Sequence, residues 1–119
     1  MATQNEVLEK RLSKASDINI TVTGRTSGRK ISLPIWFVWD DGTLYLLPVK
    51  GSDTQWYKNV VKNPAMRIEA GGAEAGLKAT PVTETKQVSG VIEKFRDKYA
   101  GDVKKYYSKF DVAVMAQTR

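Results

Sequence analysis

The chain contains no cysteine. Disulfides, thiolate metal sites and thiol nucleophiles are therefore excluded. It contains no histidine either, and that absence removes more. No imidazole base, no histidine triad and no zinc-histidine cluster can be assembled from these residues. For an enzyme built from them, the expectation is hard chemistry taken from a cofactor, with the protein supplying binding and orientation. No stretch approaches the roughly 18 consecutive apolar residues of a membrane-spanning helix, so no membrane span is expected. The opening residues MATQNEVLEKRLSK lack the apolar core of a secretory signal. The expected location is the cytoplasm.

What is present describes an ordinary globular protein. With 119 residues, 41% hydrophobic and 27% charged, the sequence fits a single domain over residues 1–119. The net charge of +6 suggests an anionic partner. Its distribution says more. Arg25, Arg29, Lys30, Lys50, Lys58 and Lys62 fall in one stretch, interleaved with glycine and serine. Lys94, Lys98, Lys104, Lys105 and Lys109 form a second set, which reads as the wet face of helices.

Periodicity orders the chain as helix, three strands, helix, two strands, helix, strand. Val7, Leu8, Leu12 and Ala15 recur at helical spacing over residues 4–15. Ile18, Ile20 and Val22 then alternate with polar residues in a strand. A long strand follows over residues 30–39, with Ile31, Leu33, Ile35 and Phe37 on one face. Pro34 inside it cannot donate a ladder hydrogen bond and points to an edge, a bulge or a barrel rim. Asp40-Asp41-Gly42 is a hairpin signal, and the return strand covers residues 43–49. Ser52 and Gln55 match a capping box and predict a helix over residues 52–62. Strands over residues 66–70 and 74–82 flank Gly71-Gly72. The most regular helix spans residues 84–100, with Val88, Val91, Ile92, Phe95 and Tyr99 on its stripe and Gly101 as its stop. A short helical piece over residues 102–108 and a strand over 110–116 complete the chain. The expectation is an α+β fold, a six-stranded antiparallel sheet closing into a small barrel with flanking helices. GxGxxG and the βαβ order are both absent, which argues against a Rossmann domain.

Two segments carry the cofactor argument. Gly24-Arg25-Thr26-Ser27-Gly28-Arg29-Lys30 combines glycines, which let backbone N–H groups approach an anion, with hydroxyls and arginine forks. A plain charged hairpin has the same composition. Lys50-Gly51-Ser52, at the predicted helix start, is placed to hold an anion with N–H groups and the helix dipole. A surface lysine beside a tight corner is the ordinary alternative. Trp36, Trp39, Trp56, Tyr45 and Tyr57 supply aromatic faces that are usually core. Trp36 is out of phase with Ile35 and Phe37, so it is exposed, at a subunit interface, or lining a groove. Tyr106 and Tyr107 are adjacent, and only one of them can readily point inward.

These segments in this order resemble the deazaflavin-dependent nitroreductase family. The resemblance rests on Thr23-Gly24-Arg25-Thr26-Ser27-Gly28-Arg29, the strand through Pro34 and Phe37, Asp41-Gly42, Leu44-Tyr45, Lys50-Gly51, Trp56-Tyr57, Asn59 and Lys62-Asn63-Pro64. It runs from about residue 20 to residue 70 and is looser beyond. It implies the split β-barrel shared with flavin-mononucleotide reductases and pyridoxamine-phosphate oxidases, a homodimer, and binding of the deazaflavin coenzyme F420. FMN in the same groove is the alternative. It further implies that Arg25, Thr26, Ser27 and Lys50 contact the phosphate or glutamate tail, with Arg29 and Lys30 beside them. Pro34 and Trp36 would line the ring, with Val49, Gly51, Trp56 and Asn59 bordering the groove. Tyr106 and Tyr107, beyond the aligned segment, are candidates for substrate contact on their chemistry alone. The implied reaction passes a hydride to a quinone, nitro compound or other small electron acceptor. A non-catalytic flavin- or deazaflavin-binding protein is the rival. Nucleic-acid binding is not expected, because the aromatics do not form a stacking platform along one sheet face. Two departures stand out: Thr26 replaces a second basic residue, and the Lys50–Trp56 link is short.

Overall fold

The computed structural model describes residues 4–40 and 42–117, with side chains described from residue 7 onward. Asp41, part of the predicted hairpin signal, lies outside the described residues; Gly42 in the same turn adopts φ +82°. The elements are α1 (Gln4–Lys14), β1 (Ile18–Thr23), β2 (Lys30–Ile35), β3 (Phe37–Asp40), β4 (Thr43–Leu46), α2 (Gln55–Lys62), β5 (Ala65–Ala70), β6 (Ala73–Lys78), β7 (Thr80–Val82), α3 (Thr85–Tyr99), α4 (Asp102–Tyr106) and β8 (Ala113–Gln117). A 3₁₀ turn over Gly51–Asp53 precedes α2.

The strands form two four-stranded antiparallel sheets, ordered β2-β1-β5-β6 and β3-β4-β8-β7. This corrects the expected six strands to eight and the closed barrel to two sheets joined at seams. Both extra strands have one cause: two long strands change sheets partway. The segment over residues 30–39 divides at Trp36, and that over residues 74–82 divides at Ala79. At the first seam side chains take over backbone groups of β3. The Phe37 N–H donates to the Tyr99 hydroxyl oxygen at 3.1 Å, and the Phe37 carbonyl accepts from Lys98 Nζ at 2.9 Å. Covering a strand edge in this way blocks further pairing. At the second seam the Ala79 N–H donates to the Pro64 carbonyl at 2.8 Å.

The alternations predicted for β1 and β5 hold, whereas in β2 Ile31 is exposed and Phe37 falls on the next strand. Ile18, Ile20 and Val22 are buried, as are Met66, Ile68 and Ala70, and they meet Leu8, Leu12, Phe37, Leu46 and Val60 in the main core. Val7, expected on the apolar face of α1, is exposed instead. The stripe of α3 forms a second cluster, in which Val88, Val91, Ile92 and Phe95 pack on Leu47, Val103 and Tyr107.

Two helix boundaries differ from the sequence reading. Ser52 does not open α2, because Thr54 is extended (φ −68°, ψ 132°) and the helix begins at Gln55. The stop of α3 falls on Ala100, at φ 54° and ψ −133°, whereas Gly101 keeps an ordinary right-handed conformation. That backbone region strongly disfavours any side chain, so Ala100→Gly should raise stability by about 1 kcal/mol. Urea unfolding would read this as a higher midpoint at unchanged slope.

Candidate functional site

A groove of about 460 Å³ opens between the end of β2, the β4–α2 segment, the first turn of α2 and the end of α4. Pro34, Trp36, Val49, Trp56, Tyr106 and Tyr107, all singled out from sequence, line it together. Leu33, Ile35, Leu47 and Thr54 complete the wall and were not foreseen as site residues. Strand alternation could have found Leu33 and Ile35, since both share the inward face of β2. The walls are apolar and aromatic, the usual lining of a small-molecule site of this size.

Trp36 is the best-fixed part of the groove. Where β2 hands over to β3 its indole leaves the strand and stacks on Tyr99, with ring centroids 4.4 Å apart and planes 7° from parallel. Tyr106 meets it edge-on at 5.7 Å. Such pairs are favoured by the ring quadrupoles. The Tyr99 hydroxyl lies 2.7 Å from the Ser16 carbonyl and 2.8 Å from that of Phe37, tying α3 to β3 and to the loop before β1. Burial pushes the Tyr99 pKa up to about 12, with the Phe37 hydrogen bond offsetting part of the rise and Asp17 adding to it. A raised folded pKa means that Tyr99 contributes stability fully below the ordinary tyrosine value of about 10, and that this is lost as pH rises towards the folded value. The prediction is a loss of stability between about pH 10 and 12, with delayed tyrosinate absorbance that Tyr99→Phe reduces but does not abolish, because Tyr57 and Tyr107 are raised as well.

Tyr107 is 6% exposed and Tyr106 53%, so the adjacent pair divides into one buried and one open ring. No hydrogen bond engages the Tyr107 hydroxyl among the described residues, and no side-chain oxygen is both enclosed and unpartnered. That hydroxyl belongs to a residue that lines the groove. Burial, with Tyr99 adding to it, raises its pKa well above the ordinary value, so at neutral pH it stays a hydrogen-bond donor.

Arg25 lies on the β1–β2 loop, against α2. Its guanidinium donates to Asn59 Oδ1 at 2.8 Å and Gln55 Oε1 at 2.7 Å, and its backbone N–H also donates to Asn59 Oδ1 at 3.1 Å. Asn59 is buried, 4% exposed, so it is a fixed anchor for this loop. Both partners are neutral, and among the described residues no carboxylate pairs with Arg25. The arginine keeps its full charge and several unused donors. The loop closes on itself: the Gly24 N–H donates to the Arg29 carbonyl at 2.8 Å, and the Arg29 N–H to Ser27 Oγ at 3.2 Å. Thr26, Ser27 and Arg29 are exposed around Arg25. The first turn of α2 has no side-chain cap, because Thr54 Oγ1 accepts from the Lys50 N–H at 2.8 Å.

Eight expected residues are not in the groove lining: Arg25, Thr26, Ser27, Arg29 and Asn59 group on the β1–β2 loop and α2, and Lys30, Lys50 and Gly51 lie elsewhere. Lys30 points to the outer face of the first sheet, where it donates to Thr23 at 2.9 Å and borders a separate depression of about 660 Å³ with Thr21, Arg67 and Lys78. Alternation puts Lys30 on the side of Ser32 and Pro34, so its separation from the groove comes from its place at the start of β2. Lys50 and Gly51 form a corner beside the groove, but it is filled from within. The Ser52 N–H and hydroxyl both donate to the Asp111 carboxylate, at 2.9 and 2.5 Å. The capping box read from Ser52 and Gln55 is therefore not formed.

The family model described as "Uncharacterized protein conserved in bacteria (DUF2255)" matches residues 9–118. No curated protein matches the chain. Among solved structures, an F420-H2-dependent reductase (FDR-A) superposes with a TM-score of 0.68 at 19% identity, over 86% of this chain and 94% of that one. HutZ, a heme storage protein from Vibrio cholerae, gives a TM-score of 0.71 at 13% identity, over 93% and 87%. A structure described as a domain-swapped dimer gives 0.68 at 19% identity, over 86% and 80%. At these identities the likeness shows a common split-barrel fold, on which function is set by the site.

Proposed function

This chain belongs to the bacterial family DUF2255 and has the fold of an F420-H2-dependent reductase, and on that premise we propose that it is a deazaflavin-dependent oxidoreductase. The observation that carries this reading is the groove itself. One apolar slot brings together Pro34, Trp36, Val49, Trp56, Tyr106 and Tyr107, with the unneutralised Arg25 bound to the helix that forms one wall. The residues fit a flat, anionic cofactor: a fixed aromatic platform, a cation without a carboxylate partner, and a hydroxyl donor.

When bound, a reduced deazaflavin supplies a hydride to an electrophilic acceptor such as a quinone or nitro compound. The chain's own residues do the rest. Pro34 and Trp36 border the ring, and Val49 and Trp56 close the sides of the slot and exclude water. Arg25, with Thr26, Ser27 and Arg29 around it, holds the anionic end. The Tyr107 hydroxyl donates to the acceptor, with Tyr106 over the mouth. A homodimer is part of the proposal, supported by the domain-swapped dimer of the same fold and by Ile31, Val49 and Tyr106, which stay exposed at 42%, 43% and 53%.

The groove lining contains no carboxylate and no amine. This favours, as a second reading, a flavin- or deazaflavin-binding protein without catalysis, with FMN as the alternative ligand. Native mass spectrometry of the ligand retained on purification identifies the cofactor. A panel of quinones and nitroaromatics with reduced F420 then separates the readings: turnover supports the oxidoreductase, and binding without turnover supports the carrier.

A further inference from the structure

The corner over residues 50–53 has the parts of an anion site. It lies between Val49 and Thr54, both of which line the groove. Gly51 is at φ +56°, the Ser52 N–H and hydroxyl point to one acceptor, and the Lys109 ammonium stands alongside. That acceptor is a carboxylate of the chain itself. Asp111 takes both Ser52 donors and lies 3.7 Å from Lys109 Nζ, which also pairs with Asp53 at 3.2 Å. The glycine is shaped to this arrangement, because a Cβ on Gly51 would collide with Asp111 Oδ1. Tyr57, buried next to the corner, has its pKa raised by burial and also by the Asp111 charge.

We propose that Asp111 is a built-in occupant of this corner that excludes a phosphate from it, and so leaves the anionic part of a bound cofactor to Arg25, which is held against α2 outside the groove lining. A phosphate would have to displace a carboxylate already matched by two donors, and would meet its negative charge on approach. Asp111 would thereby be a specificity-determining residue. The inference rests on the oxidoreductase reading for its meaning, since it selects among flat cofactors by where their charge lies. Its physical content, a corner closed to anions, stands apart from that reading.

The test uses inorganic phosphate first. Amide NMR of the whole protein should show no phosphate-dependent shift at Ser52 in the wild type. Asp111→Ala should gain one at millimolar phosphate, and Ser52→Ala placed on that background should weaken it at least several-fold. Asp111→Asn, which keeps the shape and removes the charge, guards against a folding failure in the alanine variant. It should also bind phosphate more tightly than the wild type. A Ser52 shift already present in the wild type, or none in either variant while both remain folded, would overturn the proposal. Titration with FMN and with riboflavin, which lacks the phosphate, then separates the two claims. If the wild type binds neither these nor F420, the cofactor reading fails while the phosphate result still judges Asp111. If FMN binds, the preference for FMN over riboflavin should grow several-fold in Asp111→Asn, and an unchanged ratio counts against the proposal.

Discussion

Trp36→Ala is expected to lower stability by about 3 kcal/mol and to weaken cofactor binding tenfold or more. The stability figure follows from what the indole touches. It stacks on Tyr99 and meets Tyr106 and Tyr107, with centroids 4.4, 5.7 and 6.0 Å away. Removing a fully buried tryptophan costs about 3–5 kcal/mol, and Trp36 is only half-buried, so the lower end applies. The binding loss has a separate cause, because one side of the groove loses its flat surface. Trp36→Phe restores a stacked ring against Tyr99 and should recover most of the stability. Chemical denaturation and ligand titration on the same two variants separate the effects. If the alanine variant is destabilised and yet binds with wild-type affinity, the cofactor ring does not rest against this seam.

Arg25→Met should reduce affinity for a phosphorylated flavin or deazaflavin by about 10- to 100-fold, the worth of a charge-assisted hydrogen bond of roughly 1.5–3 kcal/mol. Riboflavin, without the phosphate, should bind the variant and the wild type alike. The salt dependence of FMN binding should also become shallower. Arg25→Lys should rescue only partly, because an ammonium cannot fork onto Asn59 and Gln55 while presenting donors outward. Equal losses for FMN and riboflavin would instead mean that Arg25 acts by holding the loop to α2.

The strands were legible because β-branched residues alternate so regularly. Ile18, Ile20 and Val22 on β1 and Met66 and Ile68 on β5 point where their period of two puts them. The seams were legible only in part. Trp36 stood out as a tryptophan in the wrong phase, and that irregularity is the point where the strand changes sheets. Ala79 gave no such signal, because an alanine fits either face of a sheet. Tyr99 sat correctly on the stripe of α3, but its hydroxyl closes the edge of β3, 62 residues away, and nothing local announces that bond.

The corner at Lys50-Gly51-Ser52 shows the opposite failure. Ser52 and Gln55 have capping-box spacing, and a serine normally has its own helix to cap. Here its donors go to Asp111, 59 residues further along the chain, so a long-range contact overrides a local motif. Pro34, Trp36, Val49, Trp56, Tyr106 and Tyr107 gather in one groove, whereas Arg25, Thr26, Ser27, Arg29 and Asn59, expected with them, do not line it. Lys30 was expected beside them, but it lies at the opposite end of β2 from Pro34.

The central claim is that this groove holds a flat anionic cofactor against Trp36. The most direct measurement is tryptophan-fluorescence titration of the wild type and Trp36→Phe with F420 and with FMN. The account predicts saturable quenching of the wild type by at least one of them at micromolar concentration, with the quench much reduced in Trp36→Phe. No quenching by either ligand, or a quench of equal size in both proteins, would contradict it.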